Sequence, residues 1–233
     1  MNRREAAVTA VEAALGHEFK DAGLLERALT HSSARQKTGQ RGGDYERLEF
    51  LGDRVLGLLV AERLMRARPG ADENLLTRHF HQLVNRDACA RVARAVGLGE
   101  ALRMAGGETR SGLRDNDTVL GDAMEAILAA LYLDGGLDAA RRALDRIWAE
   151  EFDRPAPTAV TANPKLALQE WAAREGLGHP VYRVVEHTGP AHAPRFVVAV
   201  RVEEREEVTA AAGAKSEAEK AAALAFLARE GVT

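Results

Sequence analysis

Between Asp44 and Leu56 the chain reads D-Y-E-R-L-E-F-L-G-D-R-V-L and continues as G-L-L-V-A-E-R-L-M, with no proline. The pattern is helical, with Asp44 placed to cap its start. Glu46, Glu49 and Asp53 stand at i, i+3 and i+7. At about 100° per residue they share a strip about 60° wide. Leu48, Phe50, Leu51, Val55 and Leu56 cover much of the remaining circumference. Carboxylates aligned on an otherwise apolar helix constrain the fold strongly. Like charges raise one another's pKa, and burial raises it further. Bound protons, Lys or Arg side chains or a divalent cation can relieve this. Solvent can too, with Arg47 and Arg54 making ordinary surface pairs.

A second acidic helix narrows the choice. It starts near Asn116 or Asp117, reads D-T-V-L-G-D-A-M-E-A-I-L-A-A-L-Y-L, and ends at Asp134-Gly135-Gly136. Val119, Leu120, Met124, Ile127, Leu128, Leu131 and Leu133 make it apolar nearly all round. Asp122 and Glu125 therefore need a partner even more than the first group does. Glu73, in the first turn of a helix capped by Asp72, is a further candidate, although a first-turn Glu also suits the helix dipole. No His or Cys cluster accompanies these acids. A site built only of oxygen suits a hard cation such as Mg²⁺ or Mn²⁺, and such ions serve phosphoryl chemistry.

The remaining chain supplies the frame. Residues 4–15 form a helix ending at Gly16. A second helix is capped near Asp21 and ends in Thr30-His31-Ser32-Ser33, where His31 reads as a structural histidine. Residues 35–43 and 97–112 are glycine-punctuated loops, the second made basic by Arg110 and Arg114. Residues 75–97 are helical with a break near Asn85–Asp87, and Leu137 to Phe152 closes the first domain. Residues 153–162, rich in Pro, Thr and small residues, are a linker. Beyond it the period changes. A helix at 164–175 is followed by strands at 181–186, 196–202 and 206–210 and an Ala-rich helix at 214–229. That order, α-β-β-β-α, packs a helix pair on one face of a small antiparallel sheet. The expected fold is thus an all-α domain (1–152) followed by a small α+β domain (163–233).

Composition excludes more than it assigns. The formal net charge is −3, so any nucleic-acid surface comes from local clustering of charge. The single cysteine, Cys89, reads as a small core residue. Without paired cysteines, a secretory leader or a membrane-length apolar run, the expectation is a cytoplasmic protein.

E-R-L-E-F-L-G-D and the later D-A-M-E-A closely resemble the ribonuclease III family of double-stranded-RNA endonucleases, as do A-L-T-H-S-S upstream and L-Y-L-D-G-G downstream. The resemblance implies an all-helical catalytic domain that forms a homodimer and uses Mg²⁺, with Mn²⁺ as a substitute and no organic cofactor or membrane. Divalent-metal-activated water would hydrolyse both strands of duplex RNA, leaving 5′-phosphate and 3′-hydroxyl ends, in rRNA precursors and other structured transcripts. It implies Glu49 and Glu125 as direct metal ligands, with Asp53 and Asp122 supporting metal or water; Glu125 and Asp53 are the catalytic pair. Glu46 and Glu73 take outer positions. Arg54 departs from the small residue usual after G-D. A binding protein without catalysis on the same scaffold would be marked by loss of acidic residues, and none is lost.

P-K-L-A-L-Q-E-W, Y-R-V-V-E-H-T-G-P-A-H-A-P-R-F and A-K-S-E-A-E-K-A-A-A resemble a double-stranded-RNA-binding domain, which reads A-form shape across two minor grooves. The resemblance implies that Gln169 and Glu170 reach one minor groove, His192 the other, and Lys215 and Lys220 the phosphates between. Ser216 and Glu219 stand where such domains favour Lys, and Leu166 where Thr is usual. Weaker RNA binding per domain is expected, with avidity from the dimer.

Overall fold

The computed structural model describes residues 2–35, 44–105, 112–190 and 193–232. The chain divides into two compact units, Met1–Pro155 and Ala156–Thr233. Among the described residues no helix is long and apolar enough to cross a membrane.

The first unit is helical: α1 (Arg3–Leu15), α2 (Ala22–Ala28), α3 (Ser32–Arg35), α4 (Asp44–Ala67), α5 (Glu73–Val84), α6 (Arg86–Ala95), α7 (Leu98–Ala101), α8 (Asp117–Ile147) and α9 (Ala149–Asp153). Short polar side chains set many of the boundaries. Asn2 and Glu5 form a capping box on α1, and Gly16 ends that helix at φ 65°. Asp21, Asp72 and Asn116 each accept backbone N–H bonds at the starts of α2, α5 and α8. Asn85 separates α5 from α6, its side chain accepting from the Ala88 N–H at 2.8 Å. Helix α4 begins at Asp44 itself, one position earlier than a cap there would give. Helix α8 runs past the expected end at Asp134 and contains a break at Gly136, whose φ of 75° and ψ of −178° are not helical. The stretch read as loop, 97–112, contains the short α7, and just beyond it Leu113–Asp115 make a 3-10 turn.

Helices α4 and α8 form the centre of this unit. Leu48, Val55, Leu56, Leu59 and Val60 of α4 pack into one core with Leu120, Met124, Ile127, Leu128 and Leu131 of α8. Each fully buried side chain of this kind contributes about 1.5–3 kcal/mol. Trp148 is fully buried, and its indole N–H donates to the Leu83 carbonyl at 3.0 Å. The two helices approach closely at Gly52, where an added Cβ would stand 1.8 Å from the backbone oxygen of Glu125. Only glycine allows this approach.

The second unit has α10 (Ala159–Ala162), α11 (Pro164–Arg174), β1 (Val181–Thr188), β2 (Arg195–Arg201), β3 (Val208–Ala212) and α12 (Lys215–Arg229). The short α10 lies within the stretch read as linker, and its Val160 packs against the core of this unit. The sheet is antiparallel in the order β1-β2-β3. Val184 pairs with Val198, after which a bulge shifts the register so that Glu186 faces Val197. Trp171 of α11 and Phe226 of α12 meet edge to face, 5.7 Å between centroids, over Val200 and Val202.

Candidate active site

The Gly52–Glu125 contact determines which acids meet. Glu49 and Asp53 flank Gly52 on α4, and Asp122 lies one turn before Glu125 on α8. All four are half-buried, whereas Glu46, at the outer end of the α4 strip, is exposed. Their electrostatics are coupled. Burial, then Asp53, Asp122 and Glu49, push the Glu125 carboxyl up to about 8, with Arg54 partly opposing. Glu49 is raised by burial and by Asp122, Glu46 and Asp53. Asp122 is raised by burial, while Arg86 and His31 pull it down. The Cys89 thiol is also pushed up, by burial and by Glu125, Asp53 and Asp122. It is fully buried and held protonated, in keeping with its reading as a core residue.

One cation is already engaged with the cluster. Arg54 Nη1 donates to Asp53 Oδ2 at 2.6 Å and to the Phe50 carbonyl at 3.3 Å, and its guanidinium lies 4.2 Å from the Phe50 ring centroid. Arg47 is exposed. Among the described residues no three His, Cys, Asp or Glu side chains stand close enough to hold a metal ion. The acids crowd one another without converging on a point. Their chemistry nonetheless fits a hard divalent cation: oxygen donors only, partial burial, and negative charge that Arg54 and Arg86 offset only in part.

Glu73 opens α5, is exposed, and is not among the charges acting on Glu49, Asp122 or Glu125. Two neighbours were not singled out in the sequence, and a third was read as structural. Arg86 is one; it also lies against Gly121, where an added Cβ would be 3.2 Å from its Cγ. Tyr45 is another, adjoining Glu46. His31, assigned a structural role, is held by Ser33, whose N–H donates to Nδ1 at 3.3 Å and whose hydroxyl lies 3.0 Å from it. It also acts electrostatically on Asp122. The packing of separate helices, not nearness in sequence, brings these residues to the acids.

In the second unit, Gln169 and Glu170 are exposed on α11, and Lys215 and Lys220 on α12. His192 lies outside the described residues. No side chain caps α12 at Ala214, which leaves the first-turn N–H groups without that partner. Glu219 accepts from Lys165 Nζ at 2.5 Å and lies 3.9 Å from Lys215 Nζ. The one acidic residue at a Lys-favouring position therefore engages two of the domain's cations. Lys165 was visible in P-K-L-A-L-Q-E-W, but its pairing across to α12 was not.

Residues 21–150 match the Ribonuclease-III-like family model, and residues 164–229 the Double-stranded RNA binding motif. Ribonuclease 3 of Caulobacter vibrioides is 49% identical over 231 residues, 99% of this chain and 99% of that protein. The chain belongs to the ribonuclease III family. Ribonuclease 3 of Azorhizobium caulinodans is likewise 49% identical, over 96% of this chain and 94% of its own. The nuclease domain of ribonuclease III from Campylobacter jejuni superposes with a TM-score of 0.58 at 35% identity, covering 63% of this chain and 99% of that one. As a ribonuclease III, the protein is an endoribonuclease of double-stranded RNA. The ends it leaves, 5′-phosphate and 3′-hydroxyl, and its part in processing rRNA precursors follow from that membership.

Proposed function

We propose that cleavage depends on Mg²⁺, for which Mn²⁺ can substitute, held where α4 meets α8. The observation that carries this is Glu125, raised to about 8 among Asp53, Asp122 and Glu49. A carboxyl raised by burial and then by three like charges, with only Arg54 opposing, is short of counter-charge among the described residues. Glu49, Asp122 and Glu125 would be the ligands. Asp53 and Glu125 would orient the attacking water and handle its proton. Glu46 extends the acidic strip toward solvent, and Glu73 has an outer place. A divalent cation, when bound, lends Lewis acidity to the phosphodiester and the attacking water. The chain itself holds the carboxylates across a backbone contact too tight for any side chain at residue 52. Gln169, Glu170, His192, Lys215 and Lys220 would meet the duplex, and the units divide near residues 153–162.

The working form proposed is a homodimer through the nuclease unit. Phe50, Leu58 and Met65 of α4 are 64%, 56% and 66% exposed and fall within a strip about 80° wide at about 100° per residue. Tyr132 and Leu133 of α8 are exposed as well. Such apolar exposure supports an interface, and the Campylobacter structure is described by a region involved in dimer formation of its nuclease domain. Sedimentation of the full chain tests this, and a monomer at micromolar concentration would count against it. The proposed location is the cytoplasm, where structured transcripts are made.

The deciding experiment is Glu125→Gln on long duplex RNA with Mg²⁺. Cleavage is expected to fall by at least about a hundredfold, the loss of several kcal/mol of metal-dependent stabilisation, while duplex binding in chelator persists. Equal loss of binding and cleavage would remove the assigned role.

A further inference from the structure

Tyr45 adjoins the acidic strip of α4, and nothing in its packing uses its hydroxyl. The residue is 2% exposed. Its OH is buried and has no hydrogen-bond partner among the described residues. A buried hydroxyl is ordinarily satisfied, and an exception calls for an explanation, a functional role among them.

The surroundings indicate which partner. The charges that act on the phenol are Asp122, Glu49, Glu46 and Glu125, in that order, so the group stands among the carboxylates. Burial and these charges keep the phenol protonated. It can therefore donate, and every acid around it can accept once its carboxylate is formed. The ring is held from the far side of the chain: His31 meets it edge-on at 5.8 Å between centroids. Ser33 in turn fixes His31, and the His31 N–H donates to the Arg103 carbonyl at 3.0 Å. The Tyr45 ring thus rests on a neighbour that is itself anchored, which favours a fixed place for the hydroxyl.

We propose that Tyr45 is a positioning residue of the metal site. Its hydroxyl donates to the Asp122 carboxylate and orients that group for ligation. Asp122 is the acid that acts most strongly on Tyr45, and no hydrogen bond to its carboxylate occurs among the described residues. Asp122 would hold the cation and could still accept from a donor, and the phenol is the buried donor at hand. The proposal rests on the metal-site reading above and adds to it a residue that touches neither metal nor RNA.

Tyr45→Phe removes the hydroxyl and keeps the ring. In the full-length protein, Mn²⁺ binding without RNA would be followed by titration calorimetry, beside thermal melting in chelator. Mn²⁺ affinity is expected to fall about three- to tenfold, the worth of one net hydrogen bond. The half-saturating Mg²⁺ for cleavage of duplex RNA should rise in parallel. Melting in chelator should hold or rise, because an unpartnered polar group has been deleted. A purely packing role would leave Mn²⁺ affinity and Mg²⁺ dependence as in the wild type, and that result overturns the proposal. Glu125→Gln, run beside it, separates the two ideas. If Glu125→Gln weakens Mn²⁺ binding and Tyr45→Phe does not, only the Tyr45 role fails. If neither weakens it, the metal-site reading fails and takes the Tyr45 role with it.

Discussion

Glu125 and Glu151 are carboxylates of the same unit, both drawn out of water, and they are treated in opposite ways. Glu151 is 4% exposed. It accepts two bonds from Arg91, at 2.9 and 2.8 Å, and lies 3.1 Å from Arg154 Nε. The Arg91 hydrogen bonds hold its carboxyl below the usual range. Glu125 keeps more of its surface, yet burial first, and then its acidic neighbours, raise it to about 8. In one place the chain supplies the counter-charge itself, and the result is structural. In the other it gathers charge of one sign and leaves the balance to something from outside.

The largest effect expected comes from Gly52→Ala. A methyl group 1.8 Å from the Glu125 oxygen forces α4 and α8 apart. Stability should drop by about 3 kcal/mol, at the upper end for overpacking, and cleavage should be lost with every carboxylate intact. Normal cleavage by this variant would break the link between the helix contact and the site.

Glu151→Ala tests the other side. It leaves Arg91 partly buried and unpaired, and should cost about 2–3 kcal/mol in urea unfolding, discounted from the fully buried case for the exposure of Arg91. Mg²⁺ dependence should be unchanged. Any large shift in metal dependence would mean that the two regions are not independent.

Acidity distinguishes the two glutamates by sign. The folded-state pKa of Glu151 lies below its unfolded value, so its contribution is present above about 4.5 and fades as pH falls through the folded value. For Glu125 the folded value, about 8, lies above the unfolded 4.5. Without metal, the stability carried by its proton is complete below 4.5 and is lost as pH rises through 8. In chelator, Glu125→Gln should therefore melt higher than the wild type at pH 8.5, by at least about 2–4 °C, the equivalent of about 1 kcal/mol after discounting for the group's partial exposure. The difference should vanish near pH 4.5. A difference that does not change with pH would contradict the electrostatic account.

Arg54→Ala should have the smallest effect. It frees Asp53 and removes the cation opposing the rise at Glu125. Because the pair is well exposed, its worth is at most about 1 kcal/mol. The half-saturating Mg²⁺ should fall about two- to fivefold; a rise would mean that Arg54 helps to build the site.

Much of this was legible in the chain. Asp21, Asp72 and Asn116 marked helix starts because capping is a matter of a few adjacent residues. Glu46, Glu49 and Asp53 were visible as a strip because helical period is local. The α-β-β-β-α order of the second unit and its family resemblance were equally readable, and the resemblance also named the acids at 122 and 125. Other features were hidden. Gly52 read only as the one glycine in a helical run, Tyr45 as an aromatic beside the acids, and Arg86 as a charge at a helix start. Glu73 matched by position yet stays apart from the charges around Glu125. Glu219 was seen as a departure, but not as the acceptor for Lys165.

By itself, then, the sequence determined which faces of α4 and α8 carry acid, where the helices begin, and that two units of different class follow one another. Tertiary structure decided which acid receives a cation from afar: Glu151 takes Arg91, 60 residues away, whereas Glu125 has, among the described residues, only the partial opposition of Arg54. The reason is one of distance. Periodicity and capping act across a few residues, whereas burial and counter-charge depend on segments tens of residues apart, brought together only by the packing of the core.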